Sequence, residues 1–478
     1  MKDSEHSVLP GADNSAYRSL RVRPVSRAER FALGRKLRDS VPRSAMADWH
    51  PPANRADPIA LIQRTHKGRL SWLIPIRVGR MAASPYGFLR GTAEMMADDF
   101  SRLPATGIRP IVCGDAHLGN FGFYASPERN LVIDVNDFDE AHPGPWEWDL
   151  RRLATSIWVA GRDNGASDAN CQIAATACVA AYRRGVRLLA SEPLLARSYQ
   201  VLDVNYLKRV VTEKSLRSEV ARAVKMARAR TNDRTLPRLT TGPRGNRRIV
   251  DDAPLITHPT KAETGRIATG LDEYLQTLAP HWRQVVGGYT LIDVALKVVG
   301  VSSVGLRNYV VLLEGSGPED VLFLQLKQAR RSVLARYVHG ETPRHAHQGQ
   351  RVVEYQQALQ TVSDPLLGWT TIDGLSYFVR QFRDMKGTIA LDAIDAPALA
   401  DYARIAGQLL AKAHARTSGA SMIAGYVGGS DKLEQVISRF ARAYADQVEA
   451  DHAALVRAVK KGILPIDRAE GKAARRRD

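Results

Sequence analysis

The sequence CGDAHLGNFG, residues 113–122, places Asp115, His117 and Asn120 among three glycines. It directly follows Ile111–Val112, an apolar pair typical of a short strand. Polar side chains grouped at a strand end make a poor core, but they commonly present groups to a ligand. Asn, Asp and Gly are also ordinary turn residues. The stretch is therefore either a simple turn or one part of a binding site.

A second polar group follows in RNLVIDVNDFDEA, residues 129–141, where an apolar run typical of a buried strand ends in acids. Phosphoryl transfer from ATP needs a carboxylate for the acceptor hydroxyl, oxygen ligands for Mg²⁺, a lysine on the phosphates and a close backbone turn. Asp115 and Asn120 have the spacing D-x-x-x-x-N, and Asp137 follows seventeen residues later. Because Mg²⁺ binds oxygen and needs few protein ligands, these side chains suffice for a Mg²⁺–ATP site.

These two stretches resemble the catalytic loop H-G-D-x-H-x-x-N and the metal-binding strand of the aminoglycoside phosphotransferase and choline kinase group. The resemblance implies that Asp115 is the catalytic base and that Asn120 is a metal ligand. It makes Asp137 the main metal-binding acid, with Asp139 and Asp134 as the alternatives.

The same resemblance extends to WEWDLRRLA, residues 146–154, and implies that Asp149 ties its helix to the catalytic loop. Cys113 stands where that group usually has histidine, at a position that supports the loop. His117 is expected to bond to the backbone. The chain as a whole resembles a bacterial family known as domain of unknown function 2252, through CGDAHLGNFG, NDFDEAHPGPWEWDLRRLA, VRQFRDMKG and AHAR. That family brings no established reaction.

The β-rich stretch from residue 298 to residue 329 resembles the nucleotide-binding lobe of a kinase. Gly300 and Gly305 would bracket the phosphate loop, with Ser302 where kinases often have a middle glycine. Lys327 would contact the phosphates of ATP. Glu354, on the following amphipathic helix, would pair with Lys327.

In kinases the β-rich lobe precedes the catalytic loop, whereas here it follows. We therefore expect an α+β, protein-kinase-like fold that is circularly permuted, which chains tolerate when their termini lie close together. The helix preceding the catalytic loop in space is either GTAEMMADDFSRL or the one ending in KAHARTSG. One long helix is expected over about 149–190. The predicted units are an extension (1–60), a helix-rich catalytic lobe (61–285) with a basic segment (207–250), a nucleotide-binding lobe (286–390), and C-terminal helices with a basic tail (391–478).

Composition is that of an ordinary globular protein, with 44% hydrophobic and 25% charged residues. We expect a cytoplasmic protein without a membrane partner, because no apolar run approaches the roughly 18 residues of a membrane span and the first residues lack a signal-peptide pattern. The three cysteines show no paired spacing.

The net charge of +18 is concentrated in residues 207–248, which contain thirteen Lys or Arg against three acids. This segment is either a solvated helix followed by an arginine-rich hairpin around GPRGN, or a site for phosphates, whether of nucleic acid or of a smaller ligand.

The sequence thus favours an ATP- and Mg²⁺-dependent phosphotransferase that acts on a small hydroxyl-bearing acceptor. Two other classes stay open. One is a nucleotide-binding regulator with little catalysis, and the other is a nucleic-acid-binding protein that uses the basic segment. Transfer of a nucleotidyl group instead of a phosphoryl group also stays open.

Overall fold

The computed structural model describes residues 21, 24–340, 345–417 and 419–467. The start of the predicted extension, residues 1–20, and the predicted basic tail after residue 469 lie outside the described residues.

Helices make up most of the described chain. They are α1 (Arg27–Ser40), α2 (Pro58–His66), α3 (Ile74–Ala82), α4 (Pro85–Arg90), α5 (Ala93–Ser101), α6 (Trp146–Asp163), α7 (Asp168–Ser191), α8 (Leu194–Ser198), α9 (Val204–Val210), α10 (Lys214–Arg228), α11 (Asn232–Leu239), α12 (Lys261–Thr277), α13 (Pro280–Val286), α14 (Ala335–His339), α15 (Gln348–Leu359), α16 (Ala396–Arg416), α17 (Ala420–Val427) and α18 (Lys432–Lys460). Short 3₁₀ helices cover Arg43–Met46, Ser71–Leu73, Leu118–Asn120 and Leu391–Ala393.

The strands are all paired antiparallel. They are β1 (Ile111–Val112), β2 (Phe121–Ala125), β3 (Leu131–Val135), β4 (His142–Pro143), β5 (Thr240–Thr241), β6 (Arg248–Ile249), β7 (Ile256–Thr257), β8 (Thr290–Lys297), β9 (Asn308–Glu314), β10 (Val321–Gln328), β11 (Gly368–Ile372), β12 (Leu375–Gln381) and β13 (Gly387–Thr388). Together with the helices they form a mixed α+β protein, as the sequence predicts.

The largest sheet has six strands in the order β11-β12-β10-β9-β8-β7. Alternate residues of its strands face two separate apolar clusters, as the two-residue period of a strand requires. Val311 and Leu324 belong to the cluster that includes α12, whereas Val310 and Phe323 belong to the cluster on the opposite face. Because both faces are covered, β9 and β10 are buried along their whole length.

A second body contains the polar loop, which we define as residues 113–120. Its core is built around α16, which packs along α7 and also contacts α6, β1 and β3. Asp395 caps the N-terminus of α16 by accepting a hydrogen bond from the Ala398 N–H (3.0 Å). The hairpin of β2 and β3 follows the polar loop, and β13 pairs with β2.

The structure departs from the sequence predictions at two local points. The helix expected over about 149–190 is two helices, α6 and α7, because the chain turns through Gly165 at φ +77°. The arginine-rich hairpin around GPRGN is present, but β5 and β6 have only two residues each, and the residues directly before β5 belong to helix α11.

Candidate active site

The polar loop is held from α6 by the carboxylate of Asp149. Asp149 Oδ2 accepts a hydrogen bond from the Cys113 N–H (2.6 Å), and Oδ1 accepts one from the Gly114 N–H (2.9 Å). Gly114 has φ +76°, and a Cβ at this position would lie 2.3 Å from the carbonyl oxygen of Glu140. The turn therefore requires glycine, and Asp149 has the loop-holding position expected for it.

Helix α16 supports the same loop from the other side. His414 Nε2 lies 3.1 Å from Asp149 Oδ2, and its Nδ1 lies 2.8 Å from the Tyr182 hydroxyl. The Tyr402 hydroxyl donates to the carbonyl oxygens of Leu118 (3.1 Å) and Phe121 (3.2 Å). Of the two helices that the sequence left open, α16 thus supplies these supports.

Asp115 is buried at the centre of the loop, where Arg152 Nε donates to its Oδ1 (2.6 Å). Burial raises the pKa of Asp115, and the charge of Arg152 opposes that rise. Asn120 Nδ2 donates to the Asp115 carbonyl oxygen (2.6 Å), so this amide stands directly behind the acid. His117 Nδ1 accepts from the Gly119 N–H (3.1 Å), a backbone contact of the kind expected for it.

Asp134 is already neutralised by a buried partner. Its carboxylate pairs with the amine of Lys412 on α16, and both side chains are 3% exposed. Lys412 also donates to the Thr361 hydroxyl (2.9 Å). Asp134 therefore serves to join β3 to α16, which leaves Asp137 and Asp139 as the acids that are available to a ligand.

Asp137 and Asp139 meet Lys327 of β10. The Lys327 Nζ lies 2.5 Å from Asp139 Oδ2 and 3.9 Å from Asp137 Oδ1. Burial favours the neutral form of both acids, but the charges of Lys327 and Arg380 lower the pKa of Asp137, whereas the pKa of Asp139 is raised by burial and by the charge of Asp137. The pair thus divides into one firmly ionised acid and one that is easier to protonate.

These acids line one cavity of about 290 Å³, which we call the charged cavity. Its lining joins the six-stranded sheet, the polar loop and the N-terminal helices. The lining residues are Arg64, Thr65, Lys67, Arg69, Arg77, Gly91, Ala93, Glu94, Asp115, Asp137, Asp139, Glu140, Ser302, Leu306, Gln328, Arg330, Arg331, Val333 and Arg336. Asp115, Asp137, Asp139 and Ser302 were all proposed from the sequence.

The glycine loop, residues 298–307, joins β8 to β9 and contains Gly300 (φ +67°) and Gly305 (φ +89°). Its carbonyl groups are bonded to the segment between α2 and the end of α3. The Gly305 carbonyl accepts from the Leu70 N–H (2.8 Å), and the Gly300 carbonyl accepts from Arg80 Nη1 (2.6 Å). Arg69 Nη1 donates to the Ser302 carbonyl (2.8 Å). The loop is therefore fixed from outside its own sheet.

The structure does not bring Glu354 to Lys327. The Glu354 carboxylate bonds to His345 Nε2 (2.9 Å) and to Gln350 Nε2 (2.8 Å), and it is 44% exposed. One turn earlier on α15, Arg351 points inward and donates to the carbonyl oxygens of Asp139 (2.8 Å) and Ala141 (2.6 Å). The inward face of α15 carries Arg351, and the proposed pairing of Glu354 with Lys327 is absent.

The sequence reasoning missed the contribution of the segment RLSWLIPIRVGR, residues 69–80. Arg69 and Arg80 bind the glycine loop, and Arg77 lines the charged cavity. A signal was present in the sequence, because Arg77 and Arg80 interrupt the apolar residues of α3, IPIRVGRMA. Charged residues in an otherwise apolar helix are seldom buried without a partner.

Several arginines of the basic segment bond to the protein itself. Arg244 donates to the carbonyl groups of Gly315 and Ser316, Arg247 pairs with Glu314 (2.7 Å), and Arg230 donates to the Lys386 carbonyl (2.7 Å). Binding of nucleic acid by this segment stays a prediction.

The fold and the site define a mixed α+β protein with antiparallel sheets and a charged cavity between a β-sheet and a helix-rich body. The chain belongs to the family described as uncharacterized protein conserved in bacteria (DUF2252), whose model matches residues 69–458. Searches of curated proteins and of solved structures gave no match.

Among the described residues, no helix is long and apolar enough to cross a membrane. Nor do these residues contain a cluster of three His, Cys, Asp or Glu side chains placed to hold a metal.

Proposed function

We propose that the protein is a phosphotransferase that binds ATP with Mg²⁺ in the charged cavity and transfers a phosphoryl group to a small hydroxyl-bearing acceptor. One observation carries the proposal. Lys327 of β10 meets Asp137 and Asp139, which follow β3. These two acids line the charged cavity together with Asp115 and with Ser302 of the glycine loop. A lysine for phosphate, acids for metal and a further carboxylate are the groups that phosphoryl transfer from ATP uses.

The order of elements around Lys327 supports a kinase-like nucleotide lobe. In protein kinases a glycine-rich loop covers the phosphates, the lysine is on the third strand, and a helix that pairs with it follows. Here the glycine loop joins β8 to β9, Lys327 is on β10, and α15 follows. We further propose a circular permutation, in which α16 supports the polar loop although it comes later in the chain.

The residues present fit a hydrated Mg²⁺ bound to phosphate. Asp139 Oδ1 is buried and has no hydrogen-bond partner, and such atoms are rare unless a ligand, an ion or water is missing from the description. Mg²⁺ keeps several waters and takes only one or two protein carboxylates, so Asp137 and Asp139 are enough. The metal would neutralise the charge that develops on the phosphates.

Asp115 is the group that we assign to the acceptor hydroxyl. Arg152 fixes its carboxylate, and the raised pKa brings it nearer to the range in which a carboxylate can accept a proton. A second cavity of about 400 Å³ adjoins the polar loop at Gly119 and is also lined by Tyr86, Arg90 and Asp163. Its size suits a small polar acceptor.

A thermal unfolding titration with ATP, with and without Mg²⁺, tests the proposal. A ligand at 100 times its Kd stabilises a fold by about 2.7 kcal/mol. Wild type should shift with Mg²⁺–ATP, Lys327→Met and Asp137→Asn should lose the shift, and the exposed-site control Asp446→Asn (60% exposed) should keep it. A wild type that does not shift at millimolar Mg²⁺–ATP would overturn the proposal.

The products of ATP consumption, measured across a panel of small alcohols, identify the transferred group. Phosphoryl transfer releases ADP, whereas nucleotidyl transfer releases pyrophosphate. ATP binding without consumption would support the regulatory alternative.

A further inference from the structure

Arg77 is an unusual residue of the charged cavity because it is buried and only partly bonded. It is 1% exposed on α3, and its Nη2 donates to the Gly91 carbonyl (2.9 Å). Its Nε and Nη1 are buried without a hydrogen-bond partner. Burial, reinforced by the charge of Arg330, lowers the pKa of Arg77 to about 10. A buried guanidinium without an anion is costly, so the position is suited to a ligand that brings negative charge.

Three other cations of the same lining form no ion pair within 4 Å among the described residues. Arg69 donates only to carbonyl groups, Arg330 reaches the Thr65 carbonyl at 3.5 Å, and Lys67 is exposed at the rim. By contrast, Arg64 and Arg336 of this lining both pair with Glu94. We call Lys67, Arg69, Arg77 and Arg330 the cationic wall.

The rest of the lining indicates which kind of anion fits. Among the described residues, none that lines the charged cavity is aromatic, so this lining favours a charged group over a nucleobase. The same lining contains Asp115, Asp137 and Asp139, which would repel an anion unless a cation accompanied it. A buried donor on Arg77 and a buried acceptor on Asp139 are both without partners. A phosphate chain that carries a metal satisfies both.

We propose that the cationic wall is a binding site for a phosphate chain of two or more phosphates, and that Arg77 is its central contact. The inference rests on the proposed function only in taking the nucleotide to be ATP. The residues of the wall are phosphate contacts additional to Lys327. This phosphate chain is part either of the nucleotide or of a phosphorylated acceptor. Both present the same diphosphate chemistry to the arginines, which can bind phosphate oxygens in bidentate fashion.

Binding of inorganic tripolyphosphate in the presence of Mg²⁺, followed by calorimetry, tests the wall without a nucleobase. Wild type should bind. Arg77→Met and Arg330→Met should weaken binding by about 10- to 100-fold each, because each removes a charge-assisted contact. Arg330 is exposed, so its variant keeps the test valid if Arg77→Met fails to fold. Arg439→Met, at a site 73% exposed on α18, is the matched control. Unchanged affinity in Arg330→Met and in folded Arg77→Met, or no binding by wild type, would overturn the inference.

Mg²⁺–ATP titrations of the same variants separate this inference from the proposed function. If the wall variants lose ATP binding, the phosphate chain that the wall binds is that of the nucleotide. If ATP binding persists while tripolyphosphate binding is lost, the wall holds a phosphorylated acceptor. If wild type bound tripolyphosphate but did not bind Mg²⁺–ATP, the proposed function would be wrong, whereas the inference about the wall would stand. If the wall variants bound both ATP and tripolyphosphate normally, the inference about the wall would be wrong and the proposed function would stand.

Discussion

Lys327 Nζ lies 2.5 Å from Asp139 Oδ2, although Lys327 belongs to the six-stranded sheet and Asp139 follows a strand of the three-stranded sheet. The contact joins the two parts of the molecule at one charge pair, in which Lys327 is buried and Asp139 is partly exposed. It also places a cation beside two neighbouring acids, Asp137 and Asp139, that would otherwise repel each other.

Replacing Lys327 by Met should make the fold depend on divalent cations. The substitution leaves the carboxylates of Asp137 and Asp139 without their nearest amine, so that two neighbouring negative charges repel each other. Mg²⁺ without nucleotide should raise the Tm of Lys327→Met more than that of wild type, in thermal unfolding at matched ionic strength. An equal effect of Mg²⁺ on both proteins would argue against a metal site at these acids.

Replacing Asp115 by Asn should separate binding from chemistry. The amide cannot accept the acceptor's proton, and loss of a general base slows a reaction by roughly 10²–10⁴-fold. Mg²⁺–ATP should still stabilise the variant, while its rate of ATP consumption with an acceptor falls. Asp446→Asn serves as the exposed-site control. If a folded Asp115→Asn protein matched wild type in rate, Asp115 would not be the base.

The Asp134–Lys412 pair should prove structural. Either Asp134→Asn or Lys412→Met should lower the free energy of unfolding by about 3–5 kcal/mol, because each leaves one buried charge unpaired. The double variant should be less destabilised than the sum of the two single variants. Chemical denaturation of the four proteins measures this coupling, and strict additivity would show that the two side chains act independently.

Glu354 and Arg351 should differ sharply in importance. Glu354→Gln affects an exposed pair with His345, and such pairs contribute about 0–1 kcal/mol. Arg351→Met removes hydrogen bonds to the carbonyl groups of Asp139, Ala141 and Arg330 from a buried site, so it should cost several times more. Denaturant unfolding of both variants compares them. Loss of Mg²⁺–ATP binding in Glu354→Gln alone would restore Glu354 to the site.

His66 should give the stability of the protein a measurable dependence on pH. Burial and the charges of Arg77 and Arg69 lower the pKa of His66 to about 4, whereas an unfolded histidine titrates near 6.5. The unfolded state therefore takes up a proton first as the pH falls, and stability is lost between pH 6.5 and 4. His66→Asn should lose less stability than wild type over this interval in denaturant unfolding. Parallel losses in the two proteins would show that His66 is not the source.

The local sequence pattern predicted strands and turns because each of these depends mainly on residues that are neighbours in the sequence. The runs NYVVLLE and VLFLQLKQ predict strands, and β9 and β10 cover those residues. The loop CGDAHLGNFG, with its glycine at 114 and its acid at 115, likewise carries its turn chemistry in its own sequence. Lys327 and Asp137 were proposed for one site from spacing and resemblance, and the Lys327 Nζ lies 3.9 Å from Asp137 Oδ1.

Long-range contacts could not be predicted in this way. Arg69 bonds to a carbonyl 233 residues away in the sequence, and nothing in the pattern of either segment specifies that partner. Glu354 and Arg351 share one amphipathic helix, and only the packing of that helix decides which of them faces the cavity. The pairing of β13 with β2 is also tertiary, because two residues carry too little pattern to predict a strand.

The support of the polar loop by α16 has a consequence for biosynthesis. Tyr402, Lys412 and His414 are translated almost three hundred residues after the loop and the strand that they hold. Domains generally fold from the N-terminus as they emerge from the ribosome, but here Asp134 and Asp149 await partners on α16 that emerge much later. A nascent chain halted before α16 therefore carries every acid of the candidate site without the helix that supports the polar loop, so the candidate site is complete only when synthesis has passed that helix.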